Sequence, residues 1–355
     1  MSDFSDNFSA ELTNWYLKNK RDLPWRDTKD AYKIWISEVI LQQTRVIQGL
    51  PYYLKFTELF PNVEALANAD EQEVLRCWQG LGYYSRARNM HFTAKMVVEK
   101  FYSVFPTSYD DLFSLKGIGP YTAAAVASFA SNEDVAVLDG NVMRVLTRLF
   151  NIEKDISDEK TKKELQMLAN RLLPKGKSAI HNQAMMELGA MICTPQNPKC
   201  ELCAVNSNCL ALENDKVSIL PIKTKKIKVK TRYFNYIVLK TKQDYYLMKK
   251  RGKNDIWAGL WDFYLIESTK SINEPVGLES DFLKYSDTIF LESTDELKHQ
   301  LTHQTIWAKF WIFEISNPQN IFFTENEMIA LSFNEMKSAP KPILINNFLN
   351  SYIFL

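Results

Sequence analysis

The chain lacks several features that would settle its class at once. No stretch approaches the ~20 consecutive apolar residues that a bilayer-spanning helix needs. The first residues, MSDFSDNFSAEL, have neither the basic start nor the apolar centre of a secretory signal. A soluble, cytoplasmic protein is therefore expected. Charge of one sign is not in excess either: 43 Lys and Arg against 42 Asp and Glu leave a formal +1. Net charge thus predicts no partner, and local clustering carries that argument. No spacing of about 20–50 residues recurs, which excludes a solenoid. Disorder is excluded by what is present: 46% hydrophobic and 13% aromatic residues, in a length of 355 that suits about two domains.

The first 214 residues read as mainly α. EQEVLRCWQ, ARNMHFTAKMVVEKF and TKKELQMLANRLL repeat apolar residues at three and four, and Pro51, Pro61, Pro106 and Pro174 punctuate them. Residues 215–232 form a basic linker: from Lys216 to Arg232 there are seven cations and no acid. The stretch is either a solvated charge run or a contact for a polyanion. After it the texture turns β-like in YFNYIVL, YYLMKK, WDFYLIE and TIWAKFWIFEI, and ILINNFLNSYIF reads as a closing helix. Residues 233–355 are expected to form an α+β domain.

Five cysteines occur, and four of them crowd into one stretch as Cys193, Cys200, Cys203 and Cys209, spaced C-x6-C-x2-C-x5-C. In a reducing compartment such crowding favours metal ligation over disulfides. Zinc usually takes two short cysteine pairs, and only one is present, so an iron–sulfur cluster fits at least as well. Cys77 stands apart as a core thiol. His91 and His181 read as structural, and His303 as exposed on a loop.

Two carboxylates attract chemistry. DAYKIWISEVILQQTRV reads as one helix capped by Asp30, with Trp35, Glu38, Gln42 and Arg45 on a face opposite Ile36, Val39, Ile40 and Ile47. Glu38 is then either part of an exposed polar stripe or an acid in a partly apolar cleft, with a raised pKa. Asp139 in VLDGNV can cap a helix, serve chemistry, or do both. Two carboxyls in unlike environments suit cleavage of a glycosidic bond, one as acid and one to stabilise a cationic sugar. Between them lies LKGIGPYTAAA, in which Gly117 and Gly119 permit a tight turn into a helix whose first N–H groups suit a phosphate.

Taken in order, PWR at 24–26, SEVILQQTRV at 37–46, QGLGYYSRARN at 79–89, LKGIGPYTAAA at 115–125, LDGNVMRVL at 138–146 and NQAMMELGAMIC at 182–193 resemble the helix–hairpin–helix DNA glycosylases. Within them the chain is similar to the adenine DNA glycosylases of the MutY type over nearly its whole length. The resemblance implies a helix–hairpin–helix glycosylase domain with an iron–sulfur cluster loop, followed by a C-terminal Nudix-like domain. It implies a 4Fe-4S cluster on Cys193, Cys200, Cys203 and Cys209. It also implies a cytoplasmic, nucleoid-associated, monomeric protein of bacterial type. The partner would be double-stranded DNA with adenine opposite 8-oxoguanine or G.

Glu38 matches the family's catalytic acid, and Asp139 the carboxylate beside the sugar. Tyr121 and Asn141 match neighbours of that carboxylate, and Trp25 and Arg26 the adenine pocket. Gln43, Thr44, Leu81 and Tyr83 match residues that wedge into the duplex; Gly117 and Gly119 match the hairpin that grips a phosphate. The alternatives are a glycosylase with lyase activity of the endonuclease III type and a non-catalytic iron–sulfur DNA-binding protein. The lyases carry lysine where this chain has Tyr121, and a tyrosine forms no Schiff base; a non-catalytic protein would have no need of both carboxylates.

IWAGLWDF at 256–263 resembles the Nudix-like core, yet the carboxylate run of a Nudix hydrolase is missing after Gly259. Pyrophosphate hydrolysis is not expected. The lesion-reading loop, typically Phe-Ser-His, is Leu301-Thr302-His303, with Thr302 keeping a hydroxyl and Leu301 losing the ring. Lys116 stands where the hairpin commonly has proline.

Overall fold

The computed structural model describes residues 2–224, 229–278, 288–316 and 328–352. Lys225, Lys226 and Lys228 of the basic stretch lie outside these residues, as do Ile353 and Phe354 at the end of ILINNFLNSYIF. None of the described helices is long and apolar enough to cross a membrane. The chain divides into two compact units, residues 1–68 with 89–225 and residues 69–88 with 226–355.

The first unit is helical: α1 Ser2–Asn19, α2 Ala31–Leu41, α3 Val46–Leu59 and α4 Val63–Asn68 lead to α6 Ser85–Phe101 (from Asn89 onward), α7 Tyr109–Ser114, α8 Pro120–Ser131, α9 Gly140–Leu149, α10 Glu159–Leu172, α11 Ser178–Met191 and the short α12 Leu210–Glu213. Asp30 caps α2 by accepting from the Tyr32 and Lys33 amides. The helix ends at Leu41, so DAYKIWISEVILQQTRV is not one helix. Gln43 adopts φ +58° beyond its end, and Arg45 becomes the residue before α3. Nor is Glu38 part of an exposed stripe. Nine of the eleven α2 residues are buried, Trp35 and Glu38 among them, because this helix packs on more than one side.

One of its neighbours is α8. Four of the five alanines of α8, at 123, 124, 125 and 127, are buried and let the two backbones come close. The turn before α8 follows from its glycines. Gly117 takes φ +84°, and a Cβ there would lie 2.9 Å from that of Asn89. Gly119 then caps the helix and Pro120 fills its first position, where a missing N–H costs nothing. Behind them α1, α9, α10 and α11 share one core that includes Phe8, Leu12, Val145, Leu146, Leu165 and Leu188.

The second unit joins α5, Glu71–Cys77, to a mixed sheet. Its strands are β1 Lys230–Thr241, β2 Tyr245–Lys250, β3 Trp261–Asp262, β4 Tyr264–Ser268, β5 Thr288–Ser293, β6 Leu297–Gln300, β7 Gln304–Ile315 and β8 Ile329–Ser332. Strands run β3-β2-β1-β7-β5, with β1 and β7 parallel over twelve residue pairs from Lys230↔Gln304 to Thr241↔Ile315. Period-two alternation sends Phe234, Tyr236, Val238, Ile306, Phe310 and Ile312 to a core shared with α13 Phe333–Ser338 and α14 Ile343–Ser351. Phe310 and Phe348 stack there at 3.9 Å. The other face carries Ile237, Leu239, Trp311 and Phe313.

WDFYLIE, which reads as one strand, is two: the pairing breaks at Phe263, whose fully buried ring meets Phe310 and Phe348 edge-on. Strands β5, β6 and β8 are four to six residues long, too short for period two to reveal them. Cys77 is 4% exposed, and His91 and His181 are buried.

Candidate active site and cysteine loop

In the first unit α2, α8, α9 and α11 surround a cavity of about 420 Å³. Sequence distance gave no reason for Glu38 and Asp139 to meet, yet both line it, together with Tyr121, Asn141, Trp25, Arg26 and Thr44. Gln43, Gly117 and Gly119 do not. Glu38 is 5% exposed. Burial raises its pKa from 4.5 to about 7; the hydrogen bond from the Tyr121 hydroxyl opposes that, and the neighbouring Asp139 adds to it. The same burial, with both carboxyls close by, pushes the Tyr121 hydroxyl well above its usual value. At neutral pH the phenol is a donor, not a base.

Asp139 sits in a different environment. It caps α9: Oδ1 accepts from the Val142 amide at 2.7 Å and Oδ2 from Asn141 Nδ2 at 2.7 Å. Burial still raises its pKa, but these donors oppose the rise. The pocket thus separates a carboxyl that holds a proton near neutrality from one that is hydrogen-bonded in its ionised form. Paired environments of this kind divide acid from stabiliser in glycosidic chemistry.

Three functional neighbours escape a reading of the sequence alone. Glu187, 1% exposed, takes both forks of Arg21 and Arg26, with N–O contacts of 2.5 and 2.7 Å. Burial pushes its pKa up, but the two guanidiniums win and hold it at about 2. Gln183 accepts from the Tyr16 hydroxyl at 2.6 Å and lines the same cavity. Arg144, buried, donates to Asn141 Oδ1 at 2.9 Å, to the Gly189 carbonyl at 2.7 Å and to the Cys193 carbonyl at 2.7 Å. It therefore ties the start of the cysteine loop to the residue that holds Asp139. A Cβ on Gly189 would come within 2.7 Å of Asn141 Cβ, so only glycine allows α11 this close to α9.

Cys193, Cys200, Cys203 and Cys209 line one small cavity with Arg148, which donates to the Cys193 sulfur at 3.4 Å. Burial raises the thiol pKa values of Cys200, Cys203 and Cys209, that of Cys203 to about 11, and the neighbouring cysteines raise them further. A bound cationic group would favour the thiolate forms of these three. Among the described residues no three His, Cys, Asp or Glu stand close enough for a single metal ion. Four cysteines lining one small cavity are a soft sulfur donor set of the kind that holds zinc or an iron–sulfur cluster.

In the second unit Gly80, Gly82 and Tyr83 all take positive φ, turning Tyr83 out to 41% exposure. Its hydroxyl is hydrogen-bonded to that of Thr302, and Leu81, Tyr83, Thr302 and His303 line one cavity of about 530 Å³. Thr302 and His303 are exposed at the β6–β7 turn. Leu301 instead packs towards the sheet core, its amide bonded to the Gln304 carbonyl at 2.8 Å.

The helical unit with its hairpin, carboxylate pair and cysteine loop defines a base-excision class of protein. The family described as HhH-GPD superfamily base excision DNA repair protein matches residues 36–171, and a NUDIX domain matches 235–351. A thermostable thymine-DNA glycosylase of known structure is 28% identical, with a TM-score of 0.55 over 60% of this chain and 98% of its own. Endonuclease III trapped on DNA shares the fold at 21% identity, with a TM-score of 0.51 over 58% of this chain and 94% of that one. The adenine DNA glycosylase of Buchnera aphidicola subsp. Baizongia pistaciae is 35% identical over 95% of this chain and 94% of its own. That of Homo sapiens is 43% identical over 58% of this chain and 39% of its own. The chain belongs to the adenine DNA glycosylase family.

Proposed function

We propose that the protein releases adenine mispaired with 8-oxoguanine or guanine in double-stranded DNA and leaves an abasic site. The carrying observation is the pair of carboxyls in one cavity, the buried Glu38 with its pKa raised to about 7 and the half-buried Asp139 with its donors. The glycosidic bond is out of reach inside a duplex, so the adenosine enters the cavity extrahelically. Glu38 gives its proton to adenine N7, the C1′–N9 bond breaks, and its electron pair leaves with the base. Asp139 faces the resulting oxocarbenium-like sugar. Water adds at C1′ and its proton returns to solvent. Tyr121 supplies no amine for a Schiff base, so the reaction ends at the abasic site. Trp25 and Arg26 wall the base. The phosphate grip falls to the Gly117–Gly119 turn. Single-turnover reactions on duplexes with A opposite 8-oxoguanine, G and T check this reading, with rates expected to fall in that order. Equal rates on all three, or no adenine release, would overturn it.

Gln43, Thr44, Leu81 and Tyr83 are assigned to the duplex around the opposing base, and Thr302 and His303 to its oxidised edge. Thr302→Ala removes the hydroxyl that Tyr83 contacts. It is expected to narrow the rate ratio between 8-oxoguanine and guanine opposite adenine by roughly tenfold, the size of one neutral hydrogen bond with its partner left unpaired. An unchanged ratio would remove the loop from lesion reading.

Cys193, Cys200, Cys203 and Cys209 are assigned to a 4Fe-4S cluster, which when bound supplies a clamp on the loop from 193 to 209. Purified protein is expected to carry about four iron and four sulfide per chain by chemical assay, as a 4Fe-4S cluster requires. Bound zinc in their place would sink the assignment.

A further inference from the structure

Three arginines line the cavity of Glu38 and Asp139, and two are already engaged. Arg21 and Arg26 both end on Glu187. Arg45 does not. It is exposed on the cavity rim between Thr44 and Val46, and among the described residues its guanidinium has no hydrogen-bond or ion-pair partner. With Glu38 protonated, Glu187 and Asp139 balance two of the arginines. One positive charge remains, and it sits on Arg45.

An exposed, unpaired arginine contributes little to stability, so a structural role does not account for its place. A neutral base would gain little from a cation at the rim, whereas the strand that carries it bears a phosphate on either side of each nucleoside. The planar guanidinium fork matches two phosphate oxygens at once. We propose that Arg45 binds one of the two phosphodiesters flanking the extruded deoxyadenosine. The inference rests on the reading of the cavity as the adenine site. Arg45 is then a positioning residue: by fixing the strand at the rim it holds C1′ against Asp139 and N7 against Glu38, without touching either atom.

The test measures binding of the full chain to a duplex with non-cleavable 2′-fluorodeoxyadenosine opposite 8-oxoguanine, over a range of salt. Methylphosphonate replaces either flanking linkage in turn. Arg45→Ala is expected to weaken binding roughly tenfold at low salt and to reduce the slope of log K against log salt by about one, as loss of one phosphate contact does. At one linkage the methylphosphonate should weaken wild-type protein to the same degree and Arg45→Ala not at all, because the two changes remove one contact. Arg45→Lys should restore the salt slope and only part of the affinity. An unchanged slope, or a methylphosphonate loss that is the same in both proteins, overturns the inference while wild-type protein still releases adenine. Failure of the wild-type protein to release adenine overturns the underlying reading, and this one with it.

Discussion

Glu38→Gln is expected to bind an A·8-oxoguanine duplex as wild type does and to lose adenine release by about 10²–10⁴-fold or more, the contribution of a positioned general acid. The amide keeps the shape of the carboxyl and still accepts from Tyr121, but it has no proton to give. The pH dependence separates this from a packing defect. The productive form has Glu38 protonated and Asp139 ionised. As pH rises through about 7 Glu38 loses its proton and the wild-type rate falls. On the acid side the rate falls as Asp139, its pKa raised by burial, gains one. Single-turnover rates against pH should therefore be bell-shaped, and Glu38→Gln should lose the alkaline limb. Stability falls on the same alkaline side. A carboxyl raised from 4.5 to about 7 favours the folded state below pH 4.5 and loses that contribution as pH climbs through 7. Above pH 7 the glutamine variant should be the more stable, by on the order of 3 kcal/mol. Retained excision, or an alkaline limb that survives, would take the proton away from Glu38.

Why so much was legible, and the rest was not, follows from what each residue needs. Gly117 and Asp139 act through local backbone, one by its left-handed φ and one by capping the helix it begins, so their neighbours in sequence betray them. Glu38 shows itself as an acid inside an apolar string. Its burial does not show, because the end of α2 at Leu41 removes Gln42 and Arg45 from the expected polar face. Glu187 is hidden for a plainer reason. Its meaning is its pairing with Arg21 and Arg26, 166 and 161 residues away, and in MMELGAM it looks like one polar position of a helix. Arg144 and Arg148 look like an exposed i, i+4 pair, yet both are buried, one bonded to Asn141 and one to Cys193. The grouping of residues 69–88 with the C-terminal sheet depends on contacts such as Gln72 to the Gly259 carbonyl and Arg88 to the Ala258 carbonyl. No local pattern encodes those.

Asp139→Asn is the sharper test of the pair, because it spares the fold. Asparagine caps a helix about as well as aspartate, and Oδ1 can still accept from the Val142 amide. The Asn141 side chain remains anchored by Arg144, which also holds the Cys193 carbonyl, so the start of α9 should not move. What disappears is one negative charge where the sugar cation forms, together with the acceptor for Asn141 Nδ2. Fixed charges at such a place contribute on the order of 10²–10³-fold to a rate when one group is removed, and a full charge facing a cation belongs at or above the upper end. The expected result is a melting temperature within a few degrees of wild type, retained mismatch binding, and single-turnover excision lowered by roughly 10³-fold. Arg144→Ala should differ in kind. It leaves Asp139 charged but frees Asn141, and it strands buried carbonyls at Gly189 and Cys193, so it should lower stability and rate together. If Asp139→Asn instead unfolds the protein and leaves its specific rate intact, Asp139 is a cap and nothing more, and the charge that steadies the sugar must be sought elsewhere in the cavity.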